Sequence, residues 1–102
     1  MLAAPLNWFT TVSGVADSGP FNDHFVRDVG IVYALSGVAF LQLVRGLAAA
    51  RPYAMAGVIF LLGHAGFHLV ETLVGVRDLA HLLTDLPAVV LLPLAAVWAV
   101  WR

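Results

Sequence analysis

Cysteine is absent from the 102-residue chain. That excludes disulfides, thiolate metal ligation and a cysteine nucleophile, and it leaves the redox compartment open. Charge is scarce as well: 11% of residues are charged and the formal net charge is −1. No basic footprint for a nucleic-acid partner is present. A phosphate-binding loop, a dinucleotide fingerprint and a nucleophile elbow are all missing. No catalytic motif is identified, so whether the chain is an enzyme stays open. Met1 to Pro20 carries neither a basic n-region nor a continuous apolar h-region, and it reads as something other than a signal peptide. There are no repeats and no low-complexity tract.

What the chain does have is apolar residues. They make up 62% of it, and the mean hydropathy is +0.95. A soluble domain this small cannot hide so much apolar surface from water, whereas lipid is a natural solvent for it. Three long apolar stretches cover about residues 28–45, 53–75 and 79–101. Each approaches or exceeds the roughly 20 residues that a helix needs to cross the hydrocarbon core. Helices are favoured over strands, because each stretch far exceeds the length of a membrane strand and three strands cannot close a barrel. The expected fold is therefore all-α: an integral membrane bundle of three transmembrane helices spanning residues 23–102. Residues 1–22 form a short interfacial amphipathic segment, with Leu6, Trp8, Phe9 and Val12 interleaved with polar residues and a Gly19-Pro20 turn behind them.

The punctuation fits this reading. Asn22 or Asp23 can cap the first helix, Pro52 suits the first turn of the second, and Gly75 suits its end. Pro87 and Pro93 fall inside the third segment and are expected to kink it. Trp98, Trp101 and Arg102 read as an interfacial anchor. Gly30-x-x-x-Ala34 and Ala95-x-x-x-Ala99 fit close helix contact, and Gly63 and Gly66 could admit another backbone. Arg45, Arg51 and Arg102 fall on one side of the bundle, against Arg27 and Arg77 on the other. That margin favours the N-terminus outside and the C-terminus in the cytoplasm.

Ionisable residues within or near the spans are costly in lipid and need a reason. His64, His68 and Glu71 follow i, i+4, i+7 on the second helix. Asp78, His81 and Asp85 follow i, i+3, i+7 on the third. Each set shares one helical face. The topology brings both sets to the same half of the bundle, with His68 and Asp85 roughly 10–12 Å deep at 1.5 Å per residue. Imidazole and carboxylate ligands suit zinc, copper, iron or manganese. His64, His68, Glu71, His81 and Asp85 are the candidate metal ligands, with His24, Arg27 and Asp28 in support. The zincin signature is broken by Ala65, so no metallopeptidase is expected. Bis-histidine haem ligation by His64 or His68 with His81 is a weaker fit, given the nearby carboxylates.

Plainer explanations stand beside these. A polar network can simply hold helices together, and the chain would then be an accessory subunit of a larger membrane complex. The same residues could form a small ion or proton pathway. His24 can be a solvated interfacial residue, Arg27 can pair with Asp28, and Asp78 can be a helix cap. Phe40, Phe60 and Phe67 read as packing or lipid-facing residues. A scaffold of three helices also suggests a homo-oligomer or membership of a larger complex.

Three strings in the sequence belong together: Gly19-Pro-Phe-Asn-Asp-His-Phe-Val-Arg-Asp-Val-Gly30, His64-Ala-Gly-Phe-His-Leu-Val-Glu71 and Asp85-Leu-Pro-Ala-Val-Val-Leu-Leu-Pro93. Over residues 19–93 the chain resembles a group of short, uncharacterised bacterial integral membrane proteins. Its members carry GPFN-x-HFVRD-x-G, HA-x-FH and DLP-x-V motifs. The resemblance implies a bacterial inner-membrane protein and supplies no activity. It puts His24, Arg27, Asp28, His64, His68 and Asp85 on matching positions, with Glu71 at an acidic position there.

Overall fold

A computed structural model describes residues 1–12 and 14–102. The described residues contain helices and no strands. A short helix α1 (Pro5–Thr11) and a 3-10 turn (Ala16–Ser18) precede α2 (Asp23–Val44). A second 3-10 turn (Ala48–Ala50) leads into α3 (Arg51–Leu73). The third span is built from α4 (Leu79–Leu86), a π-helical segment (Pro87–Leu91) and α5 (Leu92–Trp101). Three helices are long and apolar enough to cross a membrane: Asp23–Val44, Ala48–Leu73 and Leu79–Trp101. The first begins five residues before the stretch that hydropathy alone marks out. Its start is fixed by Asn22, whose Oδ1 accepts from the Phe25 N–H at 3.0 Å, satisfying one of the orphan donors of the first turn.

Both loops between spans open on the same device. Gly46 and Gly75 take positive φ, at +90° and +76°. After α2, the Leu47 N–H reaches the Gln42 carbonyl and the Gly46 N–H reaches Leu43, each at 3.0 Å. After α3, Val76 reaches Glu71 at 2.9 Å and Gly75 reaches Thr72 at 3.2 Å. These are paired Schellman closures, which cap carbonyls that lipid would leave unsatisfied. The prolines of the third span produce a widened turn in place of a broken helix. The Leu92 N–H bonds back to Pro87. A π turn gives the ring of Pro93 room it would lack in a regular helix.

Cα extents of 40 × 31 × 16 Å make the bundle a thin layer of helices, with α3 touching both neighbours. Its core is made of Ala39 from α2, Ala54, Val58 and Leu61 from α3, and Ala96 and Val100 from α5. All six lie toward the end that holds the first loop and the C-terminus. Small side chains let backbones approach there. Gly57 marks the tightest approach: a Cβ on it would stand 3.0 Å from Ser36 Cβ and 3.2 Å from Phe40 Cε2.

The small residues marked out by their spacing are mostly not the ones used. Gly30 is buried, but Met1 and Leu2 cover it, not another helix. Ala95 is exposed, while Ala96 and Val100 one position along face the core. Gly63 and Gly66 have nothing within 4 Å of a would-be Cβ. Most large apolar side chains, among them Leu35, Ile59, Leu73 and Leu94, point outward. That is the arrangement lipid stabilises and water would not.

Gly57→Leu should therefore overpack the α2–α3 contact and destabilise the bundle by about 1–3 kcal/mol. A lower thermal midpoint in detergent would register this, while Gly63→Ala leaves the midpoint unchanged or raised.

Candidate functional site

The half of the bundle away from the core is wedged open. A cavity of about 920 Å³ lies among the start of α2, the end of α3 and the start of the third span, and the N-terminal segment covers it. Its polar lining includes His64, His68, Glu71, Arg77, His81 and Asp85. The five candidate ligands therefore share one cavity, together with Arg77, which the sequence marked only in the balance of arginines between the two sides.

Asp85 is the centre of the cluster. Its Oδ2 lies 3.2 Å from His81 Nε2, one turn away on α4, and 3.9 Å from His68 Nδ1 on α3. All three side chains are about four-fifths buried, at 18–19% exposure. The His64 ring meets the His68 ring edge-on, with centroids 4.7 Å apart, and stacks on Phe60 at 6.2 Å. From α2, Tyr33 approaches both, its ring centred 5.3 Å from Phe60 and 6.4 Å from His64. The Thr72 hydroxyl donates to the His68 carbonyl at 3.0 Å. Among the described residues neither Glu71 nor Arg77 has an ion-pair partner. Nor is any group of three or more histidine and carboxylate side chains there arranged as a ready-made metal cage.

Asp78 stands apart, as its capping alternative suggests. Its Oδ1 accepts from the His81 N–H at 2.8 Å and caps α4. The cap helps set the start of the helix that presents His81 and Asp85.

The supporting trio lies elsewhere. Arg27 pairs with Asp23 at 2.9 Å, not with Asp28. Adjacent residues on a helix do not face each other, whereas Asp23 lies one full turn back, at the favoured i, i+4 spacing. Asp28 instead faces His24 at 3.3 Å, and the His24 side chain is 89% exposed. None of the three lines the cavity. Arg27 has a different use. Its Nη1 donates to the Leu2 carbonyl at 2.6 Å and fastens the chain's first residues across α2.

The N-terminal segment closes the cavity. Trp8, Phe9 and Val12 line it from α1 and just beyond, and Phe9 packs edge-on against Phe21 at 5.3 Å. Gly14, at φ +76°, lies against the His81 imidazole so closely that a Cβ there would overlap the ring. The glycine is required twice, by its backbone angle and by its neighbour. The segment expected to lie in the membrane interface thus turns Trp8 and Phe9 toward the cavity that holds the polar cluster.

No family model matches the chain, and neither the curated proteins nor the solved structures contain a match to it. The functional reading rests on this geometry.

Gly14→Val should lift the segment from His81. With Trp98→Phe and Trp101→Phe removing the other indoles, Trp8 emission should shift to longer wavelength. An unshifted spectrum would mean that the segment is held independently of that contact.

Proposed function

We propose that this bundle is a small integral membrane protein that binds a transition-metal ion through His68, His81 and Asp85. The observation that carries the reading is the shared carboxylate oxygen, 3.2 Å from one imidazole nitrogen and 3.9 Å from another. Ligands of a tetrahedral ion with bonds near 2.1 Å stand about 3.4 Å from one another. The three donors are thus close to a ligand set, and a side-chain adjustment closes it. Glu71 and His64, in the same cavity, are available as further ligands. Neutral imidazole with carboxylate favours zinc, copper, iron or manganese. Haem fits less well, because the Asp85 carboxylate already lies against both the His81 and the His68 imidazoles.

A second reading has its own support. The His81–Asp85 and His68–Asp85 distances are already those of a polar network joining α3 to α4. Such a network can hold helices together without an ion. The chain would then serve as an accessory subunit, and its exposed apolar flanks would meet partners as well as lipid. On either reading, the resemblance and the arginine margin favour a bacterial inner membrane with the cavity in the outer half.

Elemental analysis of detergent-purified protein, wild type beside His68→Ala/His81→Ala, separates the readings. Near-stoichiometric metal in the wild type, falling at least about tenfold in the variant, is the expected result. Wild type that stays metal-free after dialysis against zinc, copper, iron and manganese would overturn the metal site. The network reading predicts in addition that His68→Ala lowers the thermal midpoint equally with and without a chelator.

A further inference from the structure

The metal reading uses one corner of the cavity and leaves the rest unexplained. The remaining space is mostly walled by apolar and aromatic side chains, with Trp8 contributed by the covering segment and Phe60 by α3. At about 920 Å³ it falls within the range of about 300–1,000 Å³ typical of small-molecule sites. Its lining extends to Phe25, Phe67 and Leu92, which are 63%, 60% and 46% exposed on the apolar exterior of the bundle. A ligand approaching over these residues comes from lipid, not from water.

The polar groups inside narrow the ligand further. The Tyr33 hydroxyl and the His64 imidazole make no side-chain hydrogen bond among the described residues. They come from opposite helices, with their rings centred 6.4 Å apart. Together they offer donors to a carbonyl and an acceptor to a hydroxyl. Charges of both signs line the same space, Glu71 and Asp85 against Arg77. An anionic head would face two carboxylates, and a head of either charge would have to leave water for a mostly apolar cavity. An uncharged, hydrogen-bonding head avoids both penalties. The aromatic walls favour a flat ring, which gains from offset or edge-on packing.

We propose that the cavity binds a lipid-soluble ligand with a flat, uncharged ring bearing opposed oxygens, of the quinone and quinol class, with Tyr33 and His64 hydrogen-bonding the ring. The alkyl tail leaves between Phe25 and Phe67 into lipid. This inference stands on the cavity and does not depend on the metal.

Trp8 is the reporter. In protein carrying Trp98→Phe and Trp101→Phe, decylubiquinone added in detergent with a chelator present should quench Trp8 emission saturably. Tyr33→Phe and His64→Ala should each weaken the half-saturation concentration by about tenfold, the effect of losing one well-made hydrogen bond. 1-Decanol, which has a comparable tail and no ring, should not compete at equal concentration. Tyr33→Phe removes one oxygen and leaves the packing in place, so it keeps the test valid if His64→Ala fails to fold. Unsaturable quenching, unchanged affinity in Tyr33→Phe, or equal competition by 1-decanol would each overturn the proposal. Because metal is chelated throughout, a failed elemental analysis and a failed quinone titration are separate results.

Discussion

The three helices lie in a layer 16 Å thick and close a tight core toward one end of the molecule. Here that end is the one holding the first loop and the C-terminus. Ala39, Ala54 and Ala96 let the backbones converge there, with Val58, Leu61 and Val100 filling the seam. Gly57 brings α3 onto Ser36 and Phe40. Convergence at one end leaves a wedge at the other. In lipid a wedge cannot stand as bare backbone and polar side chains, because no water is there to satisfy them. The other half of the structure answers that constraint: glycine-capped helix ends, polar groups turned inward, and a fourth wall made from the chain's own N-terminal segment.

That segment is held by contacts far apart in sequence. Arg27 takes the Leu2 carbonyl, Met1 and Leu2 cover the bare backbone at Gly30, and Gly14 lies against the Cε1 edge of the His81 ring. Each contact ties a local sequence choice to a tertiary one. An arginine near a helix start is ordinarily a solvent-facing or ion-pairing residue. Here one nitrogen pairs with Asp23 and another fastens the segment. The aromatic residues of α1 then cover imidazoles and carboxylates, so the polar cluster sits behind an apolar cover.

The helices were legible because hydropathy, caps and proline positions are local properties. Asn22, Asp78 and Gly75 mark helix ends in the sequence and mark them in the structure. The grouping of His64, His68, Glu71, His81 and Asp85 was legible too, since helical periodicity and antiparallel connection bring them to one level. The small-residue contacts were not. Gly30 and Gly57 look equally suited to helix packing, and only the tertiary fold puts one beneath the N-terminus and the other between helices. The choice of Asp23 over Asp28 by Arg27 depends on side-chain direction at i, i+4, which adjacency in sequence conceals. Tyr33 and Arg77 were missed as cavity residues because neither falls on a histidine-carboxylate pattern. Tyr33 does lie three residues after Gly30 on α2, on the same side as Val26 and Val29, and that stripe was the available signal.

The balance of satisfied and unsatisfied groups bears on what the cluster is for. A network kept only to join helices gains most when every member is paired, since a half-satisfied polar network is worse than an apolar one. Asp85 comes nearest to that standard, with His81 at 3.2 Å and His68 at 3.9 Å. Glu71, Arg77, the Tyr33 hydroxyl and His64 fall short of it, although all of them line one cavity. Charged and polar groups in a membrane-spanning bundle are costly to leave without partners. Helix adhesion alone would be served by replacing Glu71 and Arg77 with apolar residues of similar volume, which would also shrink the space. Keeping charges of both signs, together with the Tyr33 hydroxyl and His64, around an aromatic-walled cavity argues that the space does more than join helices.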